Sequence, residues 1–299
     1  MSLISVKLPG RRAHTLPSST TRPEAKRQKR PVMAVLSAGW LALVVVAVAT
    51  RPLLGLPNPA TIDYANIAVG PFSSGSHLLG TDLLGRDILA RLISGAQVSL
   101  SVGIGAVAVS IVLGGTLGIV AGFLGGWVDR LIGIMTDVLL AFPPLVATIV
   151  LAVFLGSSLK TLVLAIGIVF TPQLARVARS AALTYARREF VVAARGTGAT
   201  SLRVLTREVL PNTVGPVLAY GAVMVAVGIV AEAGISFLGL GVPPPQSSWG
   251  SMMGDDRSAL TNSPHAILLP ALAMALTLLA VNFLSEYVGR RFEIREAVL

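Results

Sequence analysis

Chemistry at a protein site needs nucleophiles, bases, metal ligands or phosphate cradles at workable spacing, and this chain supplies few of them. It has no cysteine, which removes thiolate nucleophiles, thiolate metal sites and disulfides together. Its three histidines, His14, His77 and His265, are too scattered to suggest a zinc cluster. The stretch GTGATS at 196–201 contains glycines but lacks the lysine of a phosphate-binding loop, and G-x-x-x-x-G-K-S/T occurs nowhere. No catalytic residue, metal site or bound nucleotide is therefore expected of this chain itself.

What remains are charged groups in unusual places. Asp137 and Glu232 both lie in predominantly apolar surroundings, where an ionised group is costly and is a functional candidate by default. For Asp137 a pathway role and a structural role stand level, because no partner can be identified. Glu232 reads more readily as a structural group or a water-exposed helix end. His77, Asp82, Arg86 and Asp87 could suggest a metal or catalytic site. Asp82, Arg86 and Asp87 fit a local charge-and-turn network around Gly80 and Gly85 better.

The elements that must position these groups are apolar. The chain is 54% hydrophobic and only 13% charged, and its apolar runs approach twenty residues, so an integral membrane protein is expected. Residues 1–31 are polar and basic, with Lys7, Arg11, Arg12 and Arg22 among the cations, and read as a disordered tail. The run at 32–50 fits a retained first span better than a cleaved signal peptide, although Ala47-Val48-Ala49 resembles a processing site. An outer segment over 51–94 and five further spans follow, at about 97–123, 131–155, 160–178, 212–237 and 266–288. Pro143-Pro144 and Pro172 fall inside two of them and predict kinks.

Six spans place both termini on one side, and the basic tail marks that side as cytoplasmic. Arg130, the arginines between Arg176 and Arg207, and Arg290, Arg291 and Arg295 then fall where cytoplasmic loops carry them. The net charge of +10 is explained in this way without nucleic acid. Residues 289–299 form a short cytoplasmic tail in this scheme. Trp249, after Pro243-Pro244-Pro245, suits an anchor at the membrane interface or a contact with an external protein.

The longest cytoplasmic loop contains FVVAARGTGATSLRVLTREVLPN (190–212). Good helix formers over 184–195 predict one helix, and Ser201 can cap a second through Leu202, Val204, Leu205 and Val209. Gly198 lies between them, where a chain reversal favours positive φ. Ala193 and Ala194 are small enough for another surface to approach. Leu210-Pro211 ends the element and starts the next span. A docking device for a soluble partner and an ordinary basic loop remain equal readings on these grounds.

The same loop resembles the "EAA" loop of permease subunits of binding-protein-dependent ABC importers. Ala193, Ala194, Gly198, Leu210 and Pro211 fit its spacing, while Val192 replaces the acid and Glu208 stands where an apolar residue is usual. The stretches HLLGTDLLGRDILARLISGAQVSL (77–100), GGWVDRLIGIMTDVLLAFP (125–143) and EAGISFLGLGVPPPQSSWG (232–250) are similar to signatures of the peptide-type branch, with Leu78 where proline is common and Ile134 where arginine is common. The resemblance covers nearly everything from residue 77 to 291. It implies an all-α integral membrane protein: six transmembrane helices of the type I ABC importer permease fold, with its core over 95–288 and a cytoplasmic coupling helix. It also implies a second homologous permease, two ATPase subunits that bind ATP and Mg, an external substrate-binding protein and a bacterial plasma membrane location. Peptides are the expected cargo, with nickel, glutathione or opines open. A secondary transporter would want coupling acids in broken helices and an internal repeat, and an intramembrane enzyme a nucleophile–base constellation; neither is clear here.

Overall fold

The computed structural model describes residues 31–73 and 75–296, so the basic tail expected over 1–31 lies outside them but for its last residue. Nearly every described element is helical. Helices α1 (Pro31–Thr50), α2 (Ile88–Ser110), α3 (Thr116–Leu124), α4 (Gly126–Leu140), α5 (Pro144–Leu155) and α6 (Leu159–Ala186) make the first half. The second half holds α7 (Glu189–Gly196), α8 (Ser201–Val204), α9 (Leu210–Phe237), α10 (Trp249–Asp255) and α11 (His265–Glu296). Five stretches are long and apolar enough to cross a membrane, and α4 with α5 makes a sixth if that bent pair counts as one span. In lipid, helices are the economical answer because each satisfies its own backbone donors and acceptors.

Two of the spans are longer than their apolar runs suggest. α2 and α3 form one rod over 88–124 through a π-helical turn at Ile111–Gly115, and α8 and α9 form another over 201–237 through a π turn at Leu205–Val209. The first rod starts earlier than 97 because Asp87 caps it, its side chain accepting from the Ala90 amide at 2.7 Å. The segment expected over 51–94 thus ends at Asp87. α11 likewise continues past 288 into the expected tail.

α6 is the central helix and packs against α2, α3, α4, α5 and α9. Between lipid-facing helices the driving force is close van der Waals fit, not expulsion of water, so small residues mark the seams. Gly114, Gly118 and Gly122 recur every fourth residue and make such a seam. A Cβ on each would stand 2.4, 2.2 and 2.6 Å from the backbone oxygens of Thr171, Ala175 and Arg179, respectively. The rods therefore meet backbone to backbone. α1 lies outside this core against α11, where Trp40 Nε1 donates to Thr277 Oγ1 at 3.0 Å.

The span expected at 131–155 is not a straight helix. Its two halves meet at 89° across residues 141–143. Pro143 and Pro144 explain the break: Pro144 takes the first turn of α5, where its missing donor costs nothing, and Pro143 is held extended ahead of it. Pro172, in contrast, stays inside α6, packed among neighbours.

Candidate functional site

The 190–212 loop is two short helices joined by a tight reversal. α6 ends at Ala186, and Arg187-Arg188 separate it from α7, so the single helix expected over 184–195 is split. α7 closes with paired backbone bonds: the Ala199 amide donates to Ala194 O at 3.1 Å and the Gly198 amide to Arg195 O at 3.0 Å. This Schellman arrangement needs a left-handed residue between helix and exit, and Gly198 supplies it at φ +85°. Nothing would crowd a Cβ at Gly198, so backbone conformation alone sets the demand for glycine.

The second helix is capped by Thr200, whose hydroxyl accepts from the Arg203 amide at 3.4 Å, and not by Ser201. Ser201 already has helical conformation at the first position, which puts its hydroxyl past the capping point. α9 starts at Leu210-Pro211 as expected, but the π turn at Leu205–Val209 leads the helix into it without a stop. A π turn with proline at the following helical start lets the rod continue without a missing donor breaking it.

Val191, Val204 and Val209 anchor the loop in a buried cluster with Leu174, Ala178 and Ala182 of α6 and Ile119 of α3. Ala194 and Ala199 pack at its edge. Facing away are Ala193, Phe190, Val192 (62% exposed) and Leu202 (70% exposed), with Leu210 and Pro211 also exposed. Arg195 lies over the Phe123 ring at 5.6 Å and ties α7 to the end of α3. The loop is therefore firmly held on one face and apolar on the other.

At the opposite end of the same rods, charged groups close a buried network. Asp82 Oδ1 accepts from the amides of Leu84 and Arg86 at 2.9 and 2.8 Å, and its Oδ2 takes Arg86 Nε at 2.6 Å and Arg91 Nη1. Arg86 and Arg91 both reach Asp255 Oδ2, at 3.0 and 2.9 Å. Asp256 accepts from the Leu83 amide at 3.1 Å, and burial raises its pKa. The sequence pointed to Asp82, Arg86 and Asp87 but missed Arg91, Asp255 and Asp256; the last two arrive from far along the chain.

His77 has a carboxylate at each ring nitrogen, Asp87 at 2.8 Å from Nδ1 and Asp63 at 3.3 Å from Nε2. The hydrogen bond with Asp87 raises its pKa above 6.5 against the opposing effect of burial, and Asp63 adds to the rise. Asp63 is lowered, first by its hydrogen bond from Asn66 and then by His77. Gly85, at φ +80°, lets this turn close: a Cβ there would meet Asp63 O at 2.4 Å. Among the described residues, no group of three or more His, Cys, Asp or Glu is arranged to hold a metal.

The two acids of the apolar runs have different settings. Glu232 is wholly buried and accepts from Ser99 of α2 at 2.9 Å and from Ser236 at 2.5 Å. Ser99 Oγ also receives the Trp249 amide at 3.3 Å, so the three residues join α9, α2 and α10. Trp249 is only 1% exposed, and its indole donates to Leu92 O at 3.0 Å. It is a core residue, not an interfacial anchor, because the Ser248 capping box starts α10 with Trp249 in a buried cluster with Ile88 and Ala96 of α2. Asp137 pairs with Arg176 Nη2 at 2.6 Å, both largely exposed, and Asp129 pairs with Arg179, about two turns earlier on α4 and one turn later on α6. Two aspartates eight apart and two arginines three apart put each pair on one helix face, a signal present in the sequence.

A bundle of apolar helices with small-residue seams, a broken span and an anchored loop that presents apolar side chains defines a polytopic membrane protein. The chain belongs to the family of binding-protein-dependent transport system inner membrane components, which matches over residues 114–296, and is an ABC importer permease. It is similar to the glutathione transport system permease protein GsiD of Pectobacterium atrosepticum, 36% identical over 84% of this chain and 83% of that protein. GsiD of Escherichia coli is 37% identical over 87% and 86%. The dipeptide transport system permease protein DppC of Alkalihalophilus pseudofirmus is 33% identical over 90% and 88%.

Proposed function

We propose that this permease forms, with a second homologous permease, the pathway for small peptides delivered by an external binding protein. Dipeptides are the favoured cargo and glutathione the second reading; the names of the similar permeases from several bacteria support both. ATP and Mg belong to two ATPase partners, and this chain hydrolyses nothing. Ala193, Ala194, Gly198, Leu210 and Pro211 form the element those ATPases seat, with both termini on the cytoplasmic side of the bacterial plasma membrane. The observation that carries the coupling role is the loop's two-faced build: Val191, Val204 and Val209 fixed inside, Val192, Ala193 and Leu202 uncovered outside. A push on such an anchored face moves α6 and α9 as rigid bodies.

Uptake of labelled dialanine and of labelled glutathione by the reconstituted complex separates the two cargoes. Gly198→Val tests the coupling: normal membrane abundance and permease pairing are expected, with weakened ATPase association and lost uptake. Normal transport by that variant with its ATPases bound would overturn the assignment of the loop. A cysteine at Ser19, in an otherwise cysteine-free chain, should resist labelling from outside intact cells.

A further inference from the structure

A cavity of about 470 Å³ lies where the end of α1, the first turns of α2, the start of α6 and the 245–246 turn converge. This size suits one small solute and greatly exceeds the room a single water needs. Its polar lining is Arg51, Asn58, Ser94, Gln97, Ser101 and Gln246, over an apolar floor that includes Val98 and Leu159. The lining holds one cation and no acid among its described residues.

Arg51 differs from the arginines of the neighbouring network. Arg86 and Arg91 are matched by Asp82 and Asp255, whereas Arg51 Nε is buried and donates to no group among the described residues. A buried guanidinium nitrogen without an acceptor is costly, and a carboxylate is the acceptor whose planar geometry fits its fork. The amides of Asn58, Gln97 and Gln246 offer both donors and acceptors, which suits a ligand carrying amide as well as carboxylate groups. Gln97 and Ser101 also begin an uncovered stripe on α2 that continues at Ile104 and Ala108, so the cavity stands at the head of an open helix face.

We infer that this cavity is a subsite for the carboxylate end of a small amide-containing solute, anchored by Arg51 and oriented by Gln97 and Gln246. Resting on the proposed peptide cargo, it is the place where the free carboxyl terminus is held before passage along α2. Arg51→Lys keeps the charge but not the fork and should retain part of the function.

The test uses the whole complex in lipid nanodiscs, with Ser101→Cys as reporter on the permease band. Dialanine should slow modification of that thiol by a soluble maleimide, and dialanine amide should not. Adding Arg51→Gln should raise the protecting concentration by about tenfold or more, since a charge-assisted bond is lost. Leu56→Cys on the lining serves as a second reporter if Ser101→Cys disturbs the site. Equal protection by dialanine and its amide, no protection at either reporter, or protection unchanged by Arg51→Gln would overturn the inference. So would protection that follows phosphatidylglycerol content instead of dialanine, which would make the site a lipid headgroup pocket. Uptake of dialanine by the same complex is measured separately: protection without uptake leaves the carboxylate subsite standing and removes the cargo reading.

Discussion

Where α2 begins, cations and carboxylates as distant in sequence as Asp82 and Asp255 neutralise one another largely out of contact with solvent. Where α6 stops, the chain closes its turns with backbone caps and leaves apolar side chains uncovered. One end is closed largely within the chain, leaving Asp256 Oδ2 and Arg51 Nε as its buried side-chain atoms without a hydrogen-bond partner among the described residues, whereas the other leaves a whole apolar face uncovered. Long-range charge pairs make a rigid base, since removing a buried member leaves its partners less compensated. Local caps make a small unit that keeps its shape while its surface stays available.

The sharpest way to break this contrast is to strip the buried cation from the charged end. Arg91→Ala leaves Asp82 and Asp256 buried with less compensation and should cost about 3–5 kcal/mol. Arg86→Ala should cost less, because Arg91 still serves both Asp82 and Asp255. The thermal midpoint of the purified complex and its abundance in membranes check both. If Arg91→Ala behaves like an ordinary surface change, the network does not hold that end together.

At the loop end the comparable experiment concerns one backbone angle. Gly198→Ala must put a side chain at φ +85° and should cost about 1–2 kcal/mol locally. Gly196→Ala lies in helical backbone with open space around it and should stabilise α7 by up to about 1 kcal/mol. Hydrogen exchange across 189–204 should therefore move in opposite directions for two glycines two residues apart.

Acidity separates the ends next. His77 is raised by its carboxylate neighbours, so the stability it contributes is full below about 6.5 and is lost as pH rises through the raised value. Asp256, raised by burial, works in the same direction, since its folded form also loses stability as pH rises. The contribution of Asp63 is present above 3.8 and disappears only as pH falls through its lowered value. The complex should lose thermal stability as pH rises from about 6.5 through the raised value of His77, and His77→Gln should remove much of that slope. Variants of the loop should leave the slope in place.

The same contrast explains what could be read from the chain alone. Apolar run length, proline position and small-residue spacing are local signals, and they announce the spans, the bend at Pro143-Pro144 and the positive φ of Gly198. The charged end was legible only over Asp82, Arg86 and Asp87, because a network completed by Asp255 and Asp256 needs the two rods already side by side. Trp249 misled for a related reason: tryptophan beside a span suits a membrane interface, and only the packing of α10 on α2 and α9 shows that it turns inward. The two π turns left no signal, since each lengthens a rod without changing its apolar pattern.

The smallest predicted effect concerns the start of α8, where two hydroxyls compete for one role. Thr200 sits at extended backbone with its side chain on the Arg203 amide, whereas Ser201 is already helical. At 3.4 Å the capping bond is long, so Thr200→Ala should cost only about 0.5 kcal/mol, the low end for a lost cap. That corresponds to roughly twofold faster exchange at the Arg203 amide. Ser201→Ala should change nothing there, or slow exchange slightly, because alanine is the better helix former at an exposed position. Uptake should survive both, since neither residue belongs to the uncovered apolar face or to the buried valine anchors. Should Ser201→Ala prove the more damaging of the two, the helix begins one residue later than the backbone indicates, and the turn closed by Gly198 and Ala199 is longer than two residues.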